Sequence, residues 1–216
     1  CRSAAAVARH RTNDEDQFPV ETNMQLLQPT TALTWCFFMI GFASVSGNLS
    51  DYESRQTQLR DLAKTNNVHR GAKSIVRSYL NQDVDQGEIA SLLGGLEQDQ
   101  DAAMRIVILT RICMLTNDES ARQSIKDKLA PIPFWLEPGE TVFVYWTENQ
   151  QIMWMSSAWL LRENYPGLLQ YNEPTLRARL LHYLRLKDEY DFFEFFSSVY
   201  TPYTLQGLLN LADFCV

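Results

Sequence analysis

The stretch DQDAAMRIVILTRICML, residues 99–115, is the most strongly helical segment of the sequence. Acidic residues open it, and carboxylates are favourable at a helix start because that end of the helix dipole is positive. Apolar residues then fill most positions from Met104 to Leu115. A helix that is apolar nearly all round is typically buried. The segment therefore predicts a central helix of a helical domain.

Further helices are expected on both sides of this central helix. Apolar residues at helical spacing, with cap residues and Pro or Gly stops, predict them at 50–64, 68–80, 88–96, 119–129, 148–163, 175–190 and 203–214. Residues 141–146, TVFVYW, are typical of a short strand or an extended loop. Because sustained heptads and βαβ alternation are missing, we expect an all-α fold of helical hairpins with long, aromatic-rich loops.

The N-terminal part has a different character. Residues 1–23 lack apolar periodicity and are expected to be disordered upstream sequence, not native protein. Residues 24–47 match a secretory signal peptide, because Met24 is followed by the apolar run ALTWCFFMIGF at 32–42 and then by small residues. A buried core helix and a retained membrane anchor are the alternatives. The sequence thus predicts a secreted, extracellular protein whose folded domain spans residues 48–216. Because residue 216 directly follows a helix, a C-terminally truncated domain is one interpretation.

Charge and composition narrow the classes of partner. The formal net charge is −7, and basic residues form no cluster. Nucleic acid, and membranes after signal removal, are not expected partners, because phosphates and anionic lipids attract concentrated Lys and Arg. Neither metal-ligand spacing nor a phosphate loop occurs, so we expect no metal and no cofactor. Cys113 and Cys215 either pair in an oxidising compartment or stay free, and the oligomeric state is left open.

Two segments of the C-terminal half resemble a known group of proteins. They are YWTENQQIM at residues 145–153 and EFFSSVYTPY at 194–203, the latter continued by LLNLADF at 208–214. Together they resemble largely uncharacterised secreted proteins with an (α/α) toroid region, similar to the helical domain of polysaccharide lyases of the alginate lyase and heparinase type. The resemblance covers roughly residues 131–214 and implies a partial (α/α) toroid.

One position departs from the pattern of that group. Where the pattern carries His after Glu-Asn at the start of an inner helix, this chain has Gln150. If that His performs acid–base chemistry, this chain lacks it. After signal removal, the chain keeps only His69 and His182. The resemblance therefore implies the fold more strongly than it implies an activity.

The resemblance places candidate site residues in the two segments. In β-elimination on a uronate polymer, Asn149 would act on the sugar carboxylate, and Tyr200 and Tyr203 would carry the proton. In hydrolysis, Glu148 and Glu194 would form the carboxylate pair. The expected substrate-binding residues are Tyr145, Trp146 and Gln150. The alternative interpretation is structural: Thr or Asn caps the helix, the acids assist its first turn, and the aromatics pack.

These residues predict a carbohydrate-related function. We expect the protein to bind, and as an enzyme to cleave, an extracellular polysaccharide. An anionic substrate would need a locally positive cleft in an acidic chain. Basic residues available for it are Arg162, Arg177, Arg179, Arg185 and Lys187. The competing hypothesis is a non-catalytic helical scaffold or interaction protein of the extracellular matrix or cell wall.

Overall fold

The computed structural model of the protein describes residues 49–65, 69–134, 142–169, 173–194 and 196–215. Within these ranges the chain is all-helical, which confirms the predicted fold class. The helices are α1 (Leu49–Thr65), α2 (Ala72–Tyr79), α3 (Gln86–Leu93), α4 (Ala102–Leu115), α5 (Glu119–Leu129), α6 (Glu148–Asn164), α7 (Glu173–Tyr190) and α8 (Tyr200–Phe214), with a short 3-10 helix at Leu96–Gln98. The predicted signal peptide, residues 24–47, lies outside the described residues. None of the helices in the described ranges has the length and apolar content needed to span a membrane.

Residues 142–146 form no strand, which agrees with the extended loop among the two predictions for this segment, and the Val144 amide donates to the Gln100 carbonyl at 3.1 Å. Several helix boundaries differ from the prediction, two of them for a clear local reason. α2 begins at residue 72 instead of 68, because Gly71 has a φ of 78° and breaks the helical geometry. α8 begins at residue 200 instead of 203, where the Ser197 hydroxyl accepts from the Tyr200 amide at 3.0 Å. A glycine with positive φ and a short-range hydrogen bond thus determine these two helix starts, and every predicted helix is present.

α4 forms the centre of the molecule, as the stretch 99–115 predicted. Its residues 102–103 and 106–113 are all buried. It packs against α2, α3, α5, α6 and α8. On α6, Trp154 is fully buried, stacks on Tyr145 at a ring-centroid distance of 4.9 Å, and donates to the Val144 carbonyl at 2.9 Å. The extended segment before α6 is therefore fixed to the core by an aromatic contact and a hydrogen bond.

The helices α4 and α6 run in the same direction. At their starts, Gln150 Nε2 donates to Asp101 Oδ1 at 3.0 Å. At their ends, the Tyr165 hydroxyl donates to the Cys113 carbonyl at 3.1 Å. α5 and α7 return the chain between the parallel helices. The return direction of α7 follows from Tyr183, whose hydroxyl donates to the Glu148 carbonyl at the start of α6 at 3.0 Å.

α8 is parallel to α6 and very close to it. A Cβ atom at Gly207 would lie 3.2 Å from the Ile152 carbonyl oxygen and from Ser156 Oγ, so the close approach depends on a residue without a side chain. Asn210 Nδ2 donates to the Val107 carbonyl at 2.8 Å and fixes α8 to α4 as well. The starts of α4, α6 and α8 therefore lie at one end of the molecule, which we call the N-terminal face.

Candidate functional site

The two glutamates predicted as a catalytic pair come together at the N-terminal face. Glu148 begins α6, and its two carboxylate oxygens accept from the backbone amides of Phe193 at 3.2 Å and of Glu194 at 2.8 Å. The Glu194 carboxylate accepts from the Asn149 amide at 3.1 Å. Each glutamate thus satisfies the backbone of the segment that carries the other one. We call the arrangement of Glu148, Glu194 and Lys187 the glutamate junction.

Lys187 on α7 supplies the positive charge of the glutamate junction. Its ammonium group forms an ion pair with Glu148, and both side chains are about nine-tenths buried, with 12% and 8% exposed. The same ammonium lies 4.8 Å from the ring centroid of Phe193. Burial raises the pKa of the Tyr183 hydroxyl, and the neighbouring charges of Glu148 and Glu194 raise it further. Tyr183 therefore stays a neutral hydrogen-bond donor at physiological pH.

These contacts limit the chemistry of the two carboxylates. A glycosidase acid must carry a proton and face the substrate. Glu148 instead accepts from two backbone amides and pairs with the Lys187 ammonium, so both of its oxygens are already engaged within the protein. Its small exposed fraction leaves little surface for a polymer. The geometry is that of a charge-assisted structural contact, which is stronger than a neutral hydrogen bond.

Asn149 and Gln150 lie side by side at the start of α6, and both are buried. Thr147 Oγ1 donates to Asn149 Oδ1 at 2.8 Å, and Gln150 Nε2 donates to Asp101. Gln150 Oε1 has no hydrogen-bond partner among the residues that the structure describes. The position at which the lyase-like pattern carries His is therefore inside the contact between α4 and α6. Thr147 itself makes no side-chain cap bond to the backbone, since Glu194 provides that acceptor.

The remaining predicted residues are placed at different depths. Tyr145 is buried, and its hydroxyl donates to the Pro133 carbonyl. Tyr203 is half-buried, and its ring centroid lies 6.2 Å from that of His69, ahead of α2. Trp146 and Tyr200 are exposed. The structure thus brings Glu148, Asn149 and Glu194 together and separates the buried Tyr145 from the exposed aromatics.

Exposed aromatic side chains occur in the sequence close to each residue of the glutamate junction. Phe193 is 84% exposed and Phe196 is 96% exposed, although phenylalanine is usually buried. We use the name aromatic rim for Trp146, Tyr190, Phe193, Phe196 and Tyr200, all of them exposed. From the sequence, aromatic residues near Glu148 and Glu194 could be predicted as site residues only because they are neighbours of those two glutamates. The sequence provided no signal for Tyr183, which bonds the Glu148 carbonyl, or for Asp101, which bonds Gln150, because these contacts join distant segments.

Two cavities lie outside the predicted site residues. One, of about 640 Å³, is lined by polar residues that include His69, Arg70, Glu88 and Arg105. The other, of about 490 Å³, runs along α7 beside Arg177 and Arg185. In the described part of the chain, no group of three His, Cys, Asp or Glu side chains could hold a metal ion. Cys113 is a buried free thiol, and Cys215 is an exposed one.

A comparison of the chain with protein-family models, with curated protein sequences and with solved structures finds no match. The resemblance to the helical domain of polysaccharide lyases therefore stays a prediction from the quoted residues.

Proposed function

We propose that the N-terminal face binds an extracellular polysaccharide without cleaving it, through the aromatic rim. The observation that carries this proposal is the exposure of five aromatic side chains beside a carboxylate pair that is already satisfied. Aromatic faces supply large apolar contact area with defined geometry, and a sugar ring can stack on them. The binding surface is thus the rim, and the glutamate junction holds it in place.

The contacts of Glu148 and Glu194 support binding over catalysis. Their carboxylates accept three backbone amides in all, and Glu148 also pairs with Lys187. Hydrogen bonds that involve an ionised group are stronger than neutral ones, so these contacts hold the carboxylates in position. The buried position of Gln150 supports the same interpretation, since it offers no acid–base group and little access to a polymer.

The charges near the rim favour a neutral or cationic polymer over a uronate. The acidic residues Asp188, Glu189 and Asp191 lie between Lys187 and Phe193 in the chain, and all three are exposed to solvent. Lys187 is already paired with Glu148. Carboxylates of a uronate polymer would meet like charges there, and like charges at close range cost binding free energy.

Two further expectations belong to this proposal. The first is secretion, which rests on the signal-like residues 24–47. The second is a partial (α/α) toroid. In such a toroid, parallel inner helices alternate with outer helices that run in the opposite direction. The parallel α4, α6 and α8 alternate in this way with the returning α5 and α7, which supports the expectation. Closure into a ring would need further hairpins of the same kind.

Binding to insoluble neutral, cationic and uronate polysaccharides tests the proposal. We expect the protein to be retained on a neutral or cationic polymer, and the double variant Trp146→Ala with Phe196→Ala to lose at least about tenfold in affinity, because each stacked ring contributes about 1 kcal/mol. Tyr52→Ala is the matched control, since Tyr52 is an exposed aromatic on α1. Release of unsaturated uronates or of new reducing ends would contradict a non-cleaving role.

One observation favours a second candidate, a protein-binding surface. Phe193 and Phe196 have no polar tip, and exposed apolar rings are typical of protein interfaces. In this case, no polysaccharide retains the protein, and Phe193→Ser and Phe196→Ser raise its solubility or abolish self-association. Sedimentation of the wild type and of these variants separates the two candidates.

A further inference from the structure

α7 has two faces with different chemistry. Leu176, Leu180 and Tyr183 are buried, and Lys187 on the same side pairs with Glu148 of α6. The opposite side is exposed and lines the open cavity of about 490 Å³. Its lining residues, which we call the α7 stripe, are Pro174, Arg177, Ala178, Leu181, His182 and Arg185. None of them belongs to the glutamate junction or to the aromatic rim.

The α7 stripe is a basic surface on an acidic protein. Arg177, Leu181 and Arg185 follow each other at four-residue spacing, so the two guanidinium side chains emerge about 12 Å apart along one line of the helix. Both arginines are exposed, and neither has an ion-pair partner among the described residues. No acidic side chain lines the cavity. The chain as a whole has a net charge of −7, whereas this surface is positively charged. A partner with negative charge is therefore complementary to it.

Apolar side chains separate the two arginines. Leu181 is exposed between them, and Leu186 extends the apolar line one turn beyond His182. A partner that satisfies this surface needs carboxylates at both ends and apolar side chains in the middle. An amphipathic acidic helix has this pattern, because residues three and four apart share one of its faces.

We propose that the α7 stripe is the docking site for an acidic amphipathic helix of a partner protein. A polysaccharide would leave the leucines without apolar contacts. An anionic membrane is an extended surface that would also meet the exposed Asp188 and Glu189 beyond the stripe, which a helix lying along Arg177 to Arg185 need not cover. The pairing of Arg177 and Arg185 with two carboxylates, with a leucine contact between them, distinguishes the helix from both.

A synthetic peptide that carries leucine at alternating three- and four-residue spacing, with glutamates between, tests the proposal. Fluorescence anisotropy at moderate ionic strength compares it with a scrambled peptide of the same composition. We expect the patterned peptide to bind at least about tenfold more tightly, and its affinity to fall as salt rises because exposed charges are screened. The variants R177E and R185E together should abolish the difference, and Leu181→Ser should weaken it.

Arg70→Glu is the matched control, since Arg70 is an exposed arginine beside the other cavity. It should leave peptide affinity unchanged, and helical circular dichroism should be the same for all variants, because the substituted side chains are exposed. Equal binding of the two peptides, or an unchanged affinity in the R177E and R185E double variant, would overturn the proposal. So would tighter binding of the wild type to vesicles of anionic lipid or to a polyuronate, with the same loss in that variant.

Discussion

The glutamate junction and a buried arginine cluster lie at opposite ends of the same parallel helices. At the N-terminal face, Glu148 and Glu194 accept backbone amides, as anions should where the helix dipole is positive. At the other end, Arg111 of α4 donates to Asn210 Oδ1 at 2.8 Å and to the Tyr79 hydroxyl at 2.7 Å, and pairs with Asp213 of α8. Each end therefore contains an ion pair between side chains of two different helices.

The two regions differ in what they hold together. The arginine cluster joins side chains of α2, α4 and α8, and Arg111 is 8% exposed. The glutamate junction joins the start of α6 to α7 and to the turn that follows it. The first ties the core helices to each other, and the second fixes a surface segment. We therefore expect substitutions in the arginine cluster to destabilise the fold more than substitutions in the junction.

The largest effect is expected from Arg111→Met. It leaves the Asp213 carboxylate without its cation and removes the donors to Asn210 and Tyr79, so unfolding in urea should show a loss of about 3 kcal/mol. Adding Asp213→Leu should recover part of the loss, because the uncompensated charge is then gone. A loss below about 1 kcal/mol for the single variant would remove the distinction between the two regions.

Glu148→Gln should have the next largest effect. Glutamine keeps an oxygen acceptor but loses the buried ion pair with Lys187, so we expect a loss of about 2 kcal/mol in urea unfolding. The control is Glu119→Gln, whose carboxylate pairs with Arg122 but is 65% exposed, and this change should cost at most about 0.5 kcal/mol. Equal costs would mean that the burial of Glu148 adds nothing.

Glu194→Ala should cost less, about 1 kcal/mol, because it removes the acceptor for the Asn149 amide in the first turn of α6. Hydrogen exchange can locate the effect. The amides of residues 149 and 150 should exchange faster, while those of α4 keep their protection. Faster exchange throughout α4 would show that the junction supports the core and not only its own segment.

The smallest effect concerns His69, which lies beside Tyr203 at the N-terminal face. Burial lowers the pKa of His69 from its ordinary 6.5. The folded protein therefore binds this proton less readily than the unfolded chain, and stability is fully present above about pH 6.5 and declines as the pH falls below it. We expect the Tm of wild type to fall more between about pH 7.5 and about pH 5.5 than the Tm of His69→Asn. The same fall in both would assign the pH dependence to other groups.

Much of the fold could be predicted from the sequence. The helix at 99–115 was predicted correctly because its apolar residues surround the whole helix, and only burial suits such a segment. The helix starting at residue 148 was also predicted, although its cap was not. Thr147 has the residue type of a cap, but the Asn149 amide is bonded instead by the carboxylate of Glu194, 45 residues further along the chain.

The candidate site was only partly predictable. Residues 145–150 and 194–203 were identified as site segments, and the structure brings Glu148, Asn149 and Glu194 into contact. The order of exposure was not predictable, since Tyr145 is buried while its neighbour Trp146 is exposed. Nor could the sequence indicate that Lys187 forms an ion pair with Glu148 and does not contribute a free positive charge to an open cleft.

Helix positions and the all-α class follow from local residue patterns, because apolar spacing, capping and helix-breaking residues act within a few positions of the chain. The roles of the charged residues follow from packing, because a carboxylate or guanidinium interacts with whatever the fold brings within a few ångströms. Glu148, Glu194 and Arg111 find their partners on distant segments of the chain, so only the three-dimensional arrangement shows which groups these charges contact.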